Sequence, residues 1–266
     1  YSSAASDVYK RQIMNSAIDF TNKTFVVAGA GGIGAATAKT LNAYGARILL
    51  LDFNENNLNR TLLELKGEGN KTYICDFSAI HTIEPCVNSI IEENGPVDGL
   101  VFCVGVGVVR PLKLSKYEFM LKVMNINFFS FIEMIRCFST RNAYNLQGMN
   151  VVGVSAIGAF LGNSTKTAYC ASKAAMNSAV RCIAKELAPR NIRINTVAPG
   201  VTDTPMARMS ESYGGDSEEY KQILRRQYLG ICQPEDIANT VVYLMSDLSK
   251  MVTGSCISVD GGKLSS

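Results

Sequence analysis

Residues 24–37 read TFVVAGAGGIGAAT, and the fold turns on how this stretch is read. An apolar strand pattern runs to Ala28, glycines follow at once, and small residues open a helix. Gly29, Gly31 and Gly34 match G-x-G-x-x-G, the turn by which a chain passes from strand to helix against a pyrophosphate. Glycine permits the tight turn and lets the main chain come close to a phosphate. A helix start offers free N–H groups and a positive dipole end. The motif alone is weak, and its context strengthens it. The next apolar run, ARILLLD, ends in Asp52, which is 52 − 34 = 18 positions after the last glycine. A carboxylate there accepts hydrogen bonds from the ribose hydroxyls of NAD and repels the 2′-phosphate of NADP. No Arg or Lys stands in the glycine loop or directly after Asp52. NAD is therefore the expected cofactor, ahead of NADP.

Working outward, strand patterns at 24–28, 46–52, 71–76, 99–105, 149–155, 191–200 and 255–260 alternate with helical patterns at 33–44, 54–66, 80–94, 116–138, 167–188 and 234–245. Alternation of this kind predicts an α/β chain. The continuous apolar character of the strands predicts a parallel sheet covered on both faces. We expect a single-domain Rossmann fold, a doubly wound parallel sheet of about seven strands. Residues 203–230 are polar, charged and dotted with Tyr and Met, with Gly214-Gly215 as a hinge-like point, and read as a substrate lid.

Composition limits the function classes. The chain has 266 residues, 47% hydrophobic and 18% charged, enough for a large core. A net charge of +3 is too small to point to nucleic acid, and no apolar run has the length of a membrane span. Eight cysteines without a C-x-x-C pair read as buried reduced thiols, which implies a cytoplasmic protein. The single histidine, His81 in SAIHTIE, reads as a surface residue. One histidine excludes a multi-histidine zinc site, argues against a Ser-His-Asp triad, and leaves no metal expected. Residues 1–13, YSSAASDVYKRQI, lack the apolar region of a signal peptide. The run DVYKRQ is what a common sequencing adapter gives on translation, so 1–13 read as a non-native leader before Met14 in a sequence of bacterial source.

Tyr169-Cys170-Ala171-Ser172-Lys173 is Y-x-x-x-K within a helical pattern. The spacing puts the phenol and the ammonium on one face, one turn apart. A phenol with pKa about 10 is a poor base at neutral pH, and a nearby cation and the positive nicotinamide favour phenolate. The motif alone is as often a solvated helix face. Its neighbourhood changes that: a strand ends upstream in Ser155-Ala156-Ile157-Gly158, and Pro199-Gly200-Val201-Thr202-Asp203-Thr204 follows a strand downstream.

With YCASKAA, INTVAPGVTDTPM, QPEDIA and VTGSCISVDGG added, the chain from about Phe20 to Gly262 resembles the short-chain dehydrogenase/reductase family. The resemblance implies roles. Tyr169 is the acid/base and Lys173 its pKa-lowering, ribose-binding partner. Ser155 polarises the reacting oxygen. Asn127 holds a water beside the lysine. The cofactor set is Gly29, Gly31, Gly32, Ile33, Gly34, Asp52, Asp76, Phe77, Gly105, Tyr169, Lys173, Pro199, Gly200, Val201 and Thr204, with Asp76 near the adenine and Val201 on the nicotinamide carboxamide. Family members also imply a homotetramer or homodimer.

Three departures stand out. The family's T-G-x-x-x-G-x-G is one residue shorter here, with Ala28 in place of the threonine. Its N-N-A-G appears as Phe102-Cys103-Val104-Gly105, where packing is expected to replace the lost side-chain bonds. Ser155 lies 169 − 155 = 14 positions before Tyr169, one more than usual, so that Ala156 stands at the usual spacing. Val106, Val108, Val109, Ala156, Phe160, Leu161, Met206 and Met209 make an apolar candidate pocket. The expected reaction interconverts a secondary alcohol and a ketone, on a bulky apolar substrate such as a hydroxysteroid or bile acid. A 3-hydroxyacyl or 3-oxoacyl substrate is the alternative, and a catalytically silent NAD sensor the alternative of another class.

Overall fold

The computed structural model describes residues 18–209 and 218–266. The expected leader and the expected hinge at Gly214-Gly215 lie outside them. Seven strands form one sheet: β1 (Thr24–Ala28), β2 (Arg47–Asp52), β3 (Lys71–Ile74), β4 (Gly99–Phe102), β5 (Met149–Val154), β6 (Ile192–Pro199) and β7 (Cys256–Val259). Their order is β3-β2-β1-β4-β5-β6-β7, and every pairing is parallel. The order reverses between β1 and β4, which opens a crevice at the carboxyl ends of these two strands. Ala28, the last residue of β1, stands opposite both Leu51 and Phe102. The glycine turn therefore leaves the sheet at that crevice.

The helices follow from the same pattern. They are α1 (Gly32–Ala43), α2 (Glu55–Leu63), α3 (Ile83–Asn94), α4 (Tyr117–Met124), α5 (Ser130–Phe138), α6 (Thr167–Leu187), α7 (Pro205–Arg208), α8 (Glu218–Arg226) and α9 (Pro234–Met245). Successive strand residues point to opposite faces, so each strand feeds two cores. Val26, Leu49, Leu51, Leu100 and Val151 pack with residues of α3, α5 and α6. Phe25, Val27, Ile48, Leu50, Val101 and Val152 pack with residues of α1 and α9. The chain is a single Rossmann-type α/β domain.

One helix expected over 116–138 is interrupted. Asn125–Phe129 form a π turn between α4 and α5. At the end of β4, Phe102 is fully buried. Its ring meets Phe77 edge-on at 5.8 Å and Phe131 at a tilt at 5.2 Å. Aromatic packing thus stands where the family's side-chain hydrogen bonds would tie this strand to its neighbours. Phe102→Ala should lower unfolding free energy by about 3–5 kcal/mol, read from urea denaturation of the purified protein.

Candidate active site

The glycine turn is built by close approach. Gly29 and Gly32 have φ of 93° and 47°, the left-handed region that favours glycine. A Cβ on Gly34 would fall onto the carbonyl oxygen of Gly29, so only glycine lets α1 seat this close to the end of β1. Gly31 is the N-cap of α1 and supplies no side-chain cap. Gly34 N–H turns back to Gly31 O at 2.9 Å. The N–H groups of Gly32 and Ile33 make no hydrogen bond among the described residues. They are the helix-start donors a pyrophosphate needs. The turn thus fits the phosphates of a dinucleotide although it is one residue short.

Asp52 sits beside this turn, buried. Its Oδ2 accepts from Ala30 N–H at 2.7 Å and its Oδ1 from Asn54 N–H at 2.9 Å. Each oxygen keeps lone pairs for a ribose hydroxyl. This bracing of the shortened turn by Asp52 was not visible in the motif. Phe53, next in sequence, is exposed. Asp76 is exposed, and its carboxyl is held below the usual carboxylate range by bonds from the Ser78 side chain and N–H. Phe77 points its ring into the core against Phe102, so only its main chain can face a cofactor.

Tyr169 lies in the first turn of α6, half-buried, with Lys173 one turn on and buried. Lys173 Nζ donates to Val154 O at 2.8 Å. A Cβ on Gly105 would come within 3.2 Å of that nitrogen and 3.5 Å of Asn127 Oδ1. This close approach accounts for Gly105 being the one residue of the family's N-N-A-G kept here. Ser155 Oγ donates to Lys173 O at 3.2 Å. Ser155 N–H bonds Val197 O at 2.7 Å, which carries the β5–β6 ladder one residue further. Ala156 is the N-cap of the short 3-10 turn Ile157–Ala159. The only hydroxyl at this strand end is therefore the one on Ser155.

Without the cofactor's charge, burial pushes the Tyr169 phenol up to about 12, and the Lys173 ammonium is turned to Val154 O. Burial also pushes Lys173 down to about 8, and it pushes the neighbouring Cys103 thiol up to about 12. One expectation needs correction, and it concerns Val201. Its N–H donates to Gln227 Oε1 at 2.9 Å. Its carbonyl accepts from Gln227 Nε2 at 2.8 Å and Cys232 N–H at 3.1 Å. Both main-chain groups are taken, so a carboxamide contact at Val201 is not available. Thr202 N–H, next in the turn, makes no hydrogen bond among the described residues. Nothing in the P-G motif separates Val201 from Thr202.

Asn127 is buried in the π turn. Its Oδ1 accepts from Val106 N–H at 2.8 Å, and its Nδ2 donates to Val106 O at 3.2 Å and Ser172 Oγ at 3.0 Å. The side chain is spent on clamping the loop after β4. The π turn takes the Asn127 main chain out of regular α-helical pairing, which leaves it suited to hold a water beside Lys173.

Thr204 caps α7 through Ala207 N–H at 3.2 Å, and its methyl lies 3.2 Å from where a Gly32 Cβ would stand. The turn after Pro199-Gly200 thus touches the glycine turn. Met206 Sδ is 3.1 Å from a Cβ built on Gly107, bringing the start of the expected lid onto the loop after β4. Val106 and Leu161 are half-buried, Ala156 is buried, and Phe160, Met206 and Met209 are exposed.

A family model described as enoyl-(acyl carrier protein) reductase matches residues 27–263. The short-chain reductase protein NovJ of Streptomyces niveus is 32% identical over 90% of this chain and 92% of its own. The chain belongs to the short-chain dehydrogenase/reductase family. The 7alpha-hydroxysteroid dehydrogenase of Bacteroides fragilis is 30% identical over 91% of this chain and 95% of its own. A solved 7 alpha-hydroxysteroid dehydrogenase complexed with NADH and 7-oxo glycochenodeoxycholic acid superposes with a TM-score of 0.83 at 26% identity, covering 92% of this chain and 96% of that one. Membership makes this an oxidoreductase that uses a nicotinamide cofactor. No helix among the described residues is long and apolar enough to cross a membrane.

The buried lysine has a measurable consequence. Its folded pKa lies below the unfolded value of about 10.4, so its burial costs stability in full below about pH 8. The cost is relieved as pH rises from about 8 toward 10.4. Tyr169, raised in the fold, acts oppositely above about pH 10. The Cys103 thiol, raised to about 12, costs stability over the same window in wild type and variant alike, so between about pH 8 and 10 the stability of the cofactor-free wild type relative to Lys173→Met should rise, measured as the difference between their urea midpoints.

Proposed function

We propose that the chain interconverts a secondary alcohol and a ketone, with NAD as the preferred cofactor. The observation that carries this reading is the junction at Lys173. There the end of β5, the loop after β4 and α6 meet, and one buried ammonium faces Val154 O and Gly105 beside Tyr169 and Ser155. When bound, the nicotinamide supplies the acceptor or donor of the hydride. The residues of the chain do the rest. Tyr169 exchanges the proton of the reacting hydroxyl. Ser155 turns its hydroxyl from Lys173 O to the reacting oxygen. Lys173 turns from Val154 O toward the ribose hydroxyls. A second positive charge, present with the oxidised cofactor, adds to the ammonium in drawing the phenol down from about 12. Tyr169→Phe should cut turnover by about 10²–10⁴-fold while NADH still binds. Near-normal turnover in that variant sinks the assignment.

The NAD preference rests on Asp52, whose buried carboxylate braces the glycine turn and is followed by no cation in sequence. Asp52→Ser should shift the NAD-to-NADP ratio of kcat/KM toward NADP by at least about tenfold.

For the substrate we favour a bulky apolar alcohol or ketone of the hydroxysteroid or bile-acid kind. The apolar character of Val106, Phe160, Leu161, Met206 and Met209 supports this, with Met206 set against the loop after β4, as does the likeness to 7alpha-hydroxysteroid dehydrogenase. A panel of hydroxysteroids, 3-hydroxyacyl thioesters and small cyclic alcohols, run with NAD and with NADP, tests it. Higher kcat/KM on the acyl thioesters would reverse the choice. Tight NADH binding without turnover on any member would favour the sensor.

A further inference from the structure

Two cysteines meet at the join of β3 and α3. Cys75 follows β3 directly and is buried, and Cys86, in the first turns of α3, is half-buried. Cys75 lies in the core with Ile83 and Val87 of α3, and Cys86 packs against the same core. Their thiols share a hydrogen bond. The bond divides the pair. It holds the Cys86 thiol below the usual range, against the effect of burial. It pushes Cys75 up, and burial and the charges of Cys86 and Asp76 push the same way. Cys86 is thus the better nucleophile of the two and the one nearer solvent, with a second sulfur already beside it.

The main chain at Cys75 connects residues assigned above to the dinucleotide. Its N–H donates to Asp52 O at 3.1 Å. The Asp52 carboxylate in turn braces Ala30 of the glycine turn. Asp76 and Phe77 follow Cys75 directly, and the Phe77 ring packs on Phe102 at the end of β4. A covalent bridge between two sulfurs is shorter than a contact of two thiols. Closing one here draws Cys75 toward α3, and the strand end that carries Asp76 moves with it.

We propose that Cys75 and Cys86 form a reversible dithiol–disulfide site that takes hydroperoxides and, once bridged, weakens dinucleotide binding. The effect on binding rests on the reading of Asp52, Asp76 and Phe77 as cofactor residues; formation of the bridge does not. The Cys86 thiolate attacks one oxygen of the peroxide, the O–O bond breaks, and hydroxide leaves, which gives a sulfenic acid. The Cys75 sulfur then attacks the Cys86 sulfur. The S–O bond breaks, and its oxygen departs as water with the Cys75 proton. Two thiols and one hydrogen peroxide thus give one disulfide and two waters, with two electrons passing from sulfur to oxygen. Dithiothreitol returns both thiols by exchange.

The test treats the reduced, folded wild type with an equal amount of hydrogen peroxide, removes the peroxide, and divides the sample. One part is digested without reductant by a protease that cuts before aspartate. Cleavage before Asp52, Asp76 and Asp98 puts Cys75 and Cys86 in separate peptides, each with no other cysteine. The two peptides should be found joined by mass spectrometry, and dithiothreitol should part them. In the other part, the Kd for NADH should rise by about fivefold or more and return with dithiothreitol. Cys86→Ser should bind NADH as the untreated wild type does and show no response to peroxide. Peroxide that oxidises the exposed Cys182 and leaves the two peptides unjoined overturns the proposal. A bridged protein with an unchanged Kd overturns it as well. A reduced wild type that binds no NADH would instead sink the cofactor reading, since the bridge is read by mass alone.

Discussion

The passage of α1 over the carbonyl of Gly29 is the constraint on which the molecule is built. No side chain can stand at Gly34, because its Cβ would occupy the space of that oxygen. The helix start is thereby held against the end of β1, at the place where the sheet order reverses. The free N–H groups of Gly32 and Ile33 are aimed from there into the crevice. Everything else in the site is placed relative to this seat. Asp52 reaches Ala30 from β2, Thr204 reaches Gly32 from the turn after β6, and the loop after β4 is brought alongside.

The site shows the cost of placing charge in such a crevice. Lys173 is buried among main-chain carbonyls and a neutral thiol, and its ammonium is weakened by the loss of water. The phenol beside it suffers the same loss in the opposite sense. A second positive charge would favour the ionised phenol, and would weaken the ammonium further. Under the proposed reading, proton transfer would be tied to an occupied cofactor site, since burial leaves the phenol protonated at neutral pH.

Much of this was legible in the residues. Buried parallel strands are continuous apolar runs, so their positions followed from hydropathy. Y-x-x-x-K on one helix face needed only the helical repeat. What stayed hidden depends on contacts between distant segments. The π turn at Asn125–Phe129 has no marker in local propensity. It exists where Asn127 reaches across to Val106. The saturation of Val201 comes from a residue 26 positions away. The raised phenol is a property of burial, which spacing cannot show. Asp52 was legible as an acid at a strand end, but its hold on Ala30 required the turn to be folded.

The joining of Thr204 and Gln227 on one turn has a further meaning for how such a chain can change. The two ends of that stretch are held by the domain itself. The entropy of closing a flexible loop grows only logarithmically with length, about 0.6 kcal/mol for each doubling. A change in the number of residues between Thr204 and Gln227 therefore costs little closure entropy, while Val201 and the glycine turn stay in place. Variation in what the mouth admits is separated from the part of the molecule that grips the dinucleotide. One fold can then present many different openings over an unchanged floor.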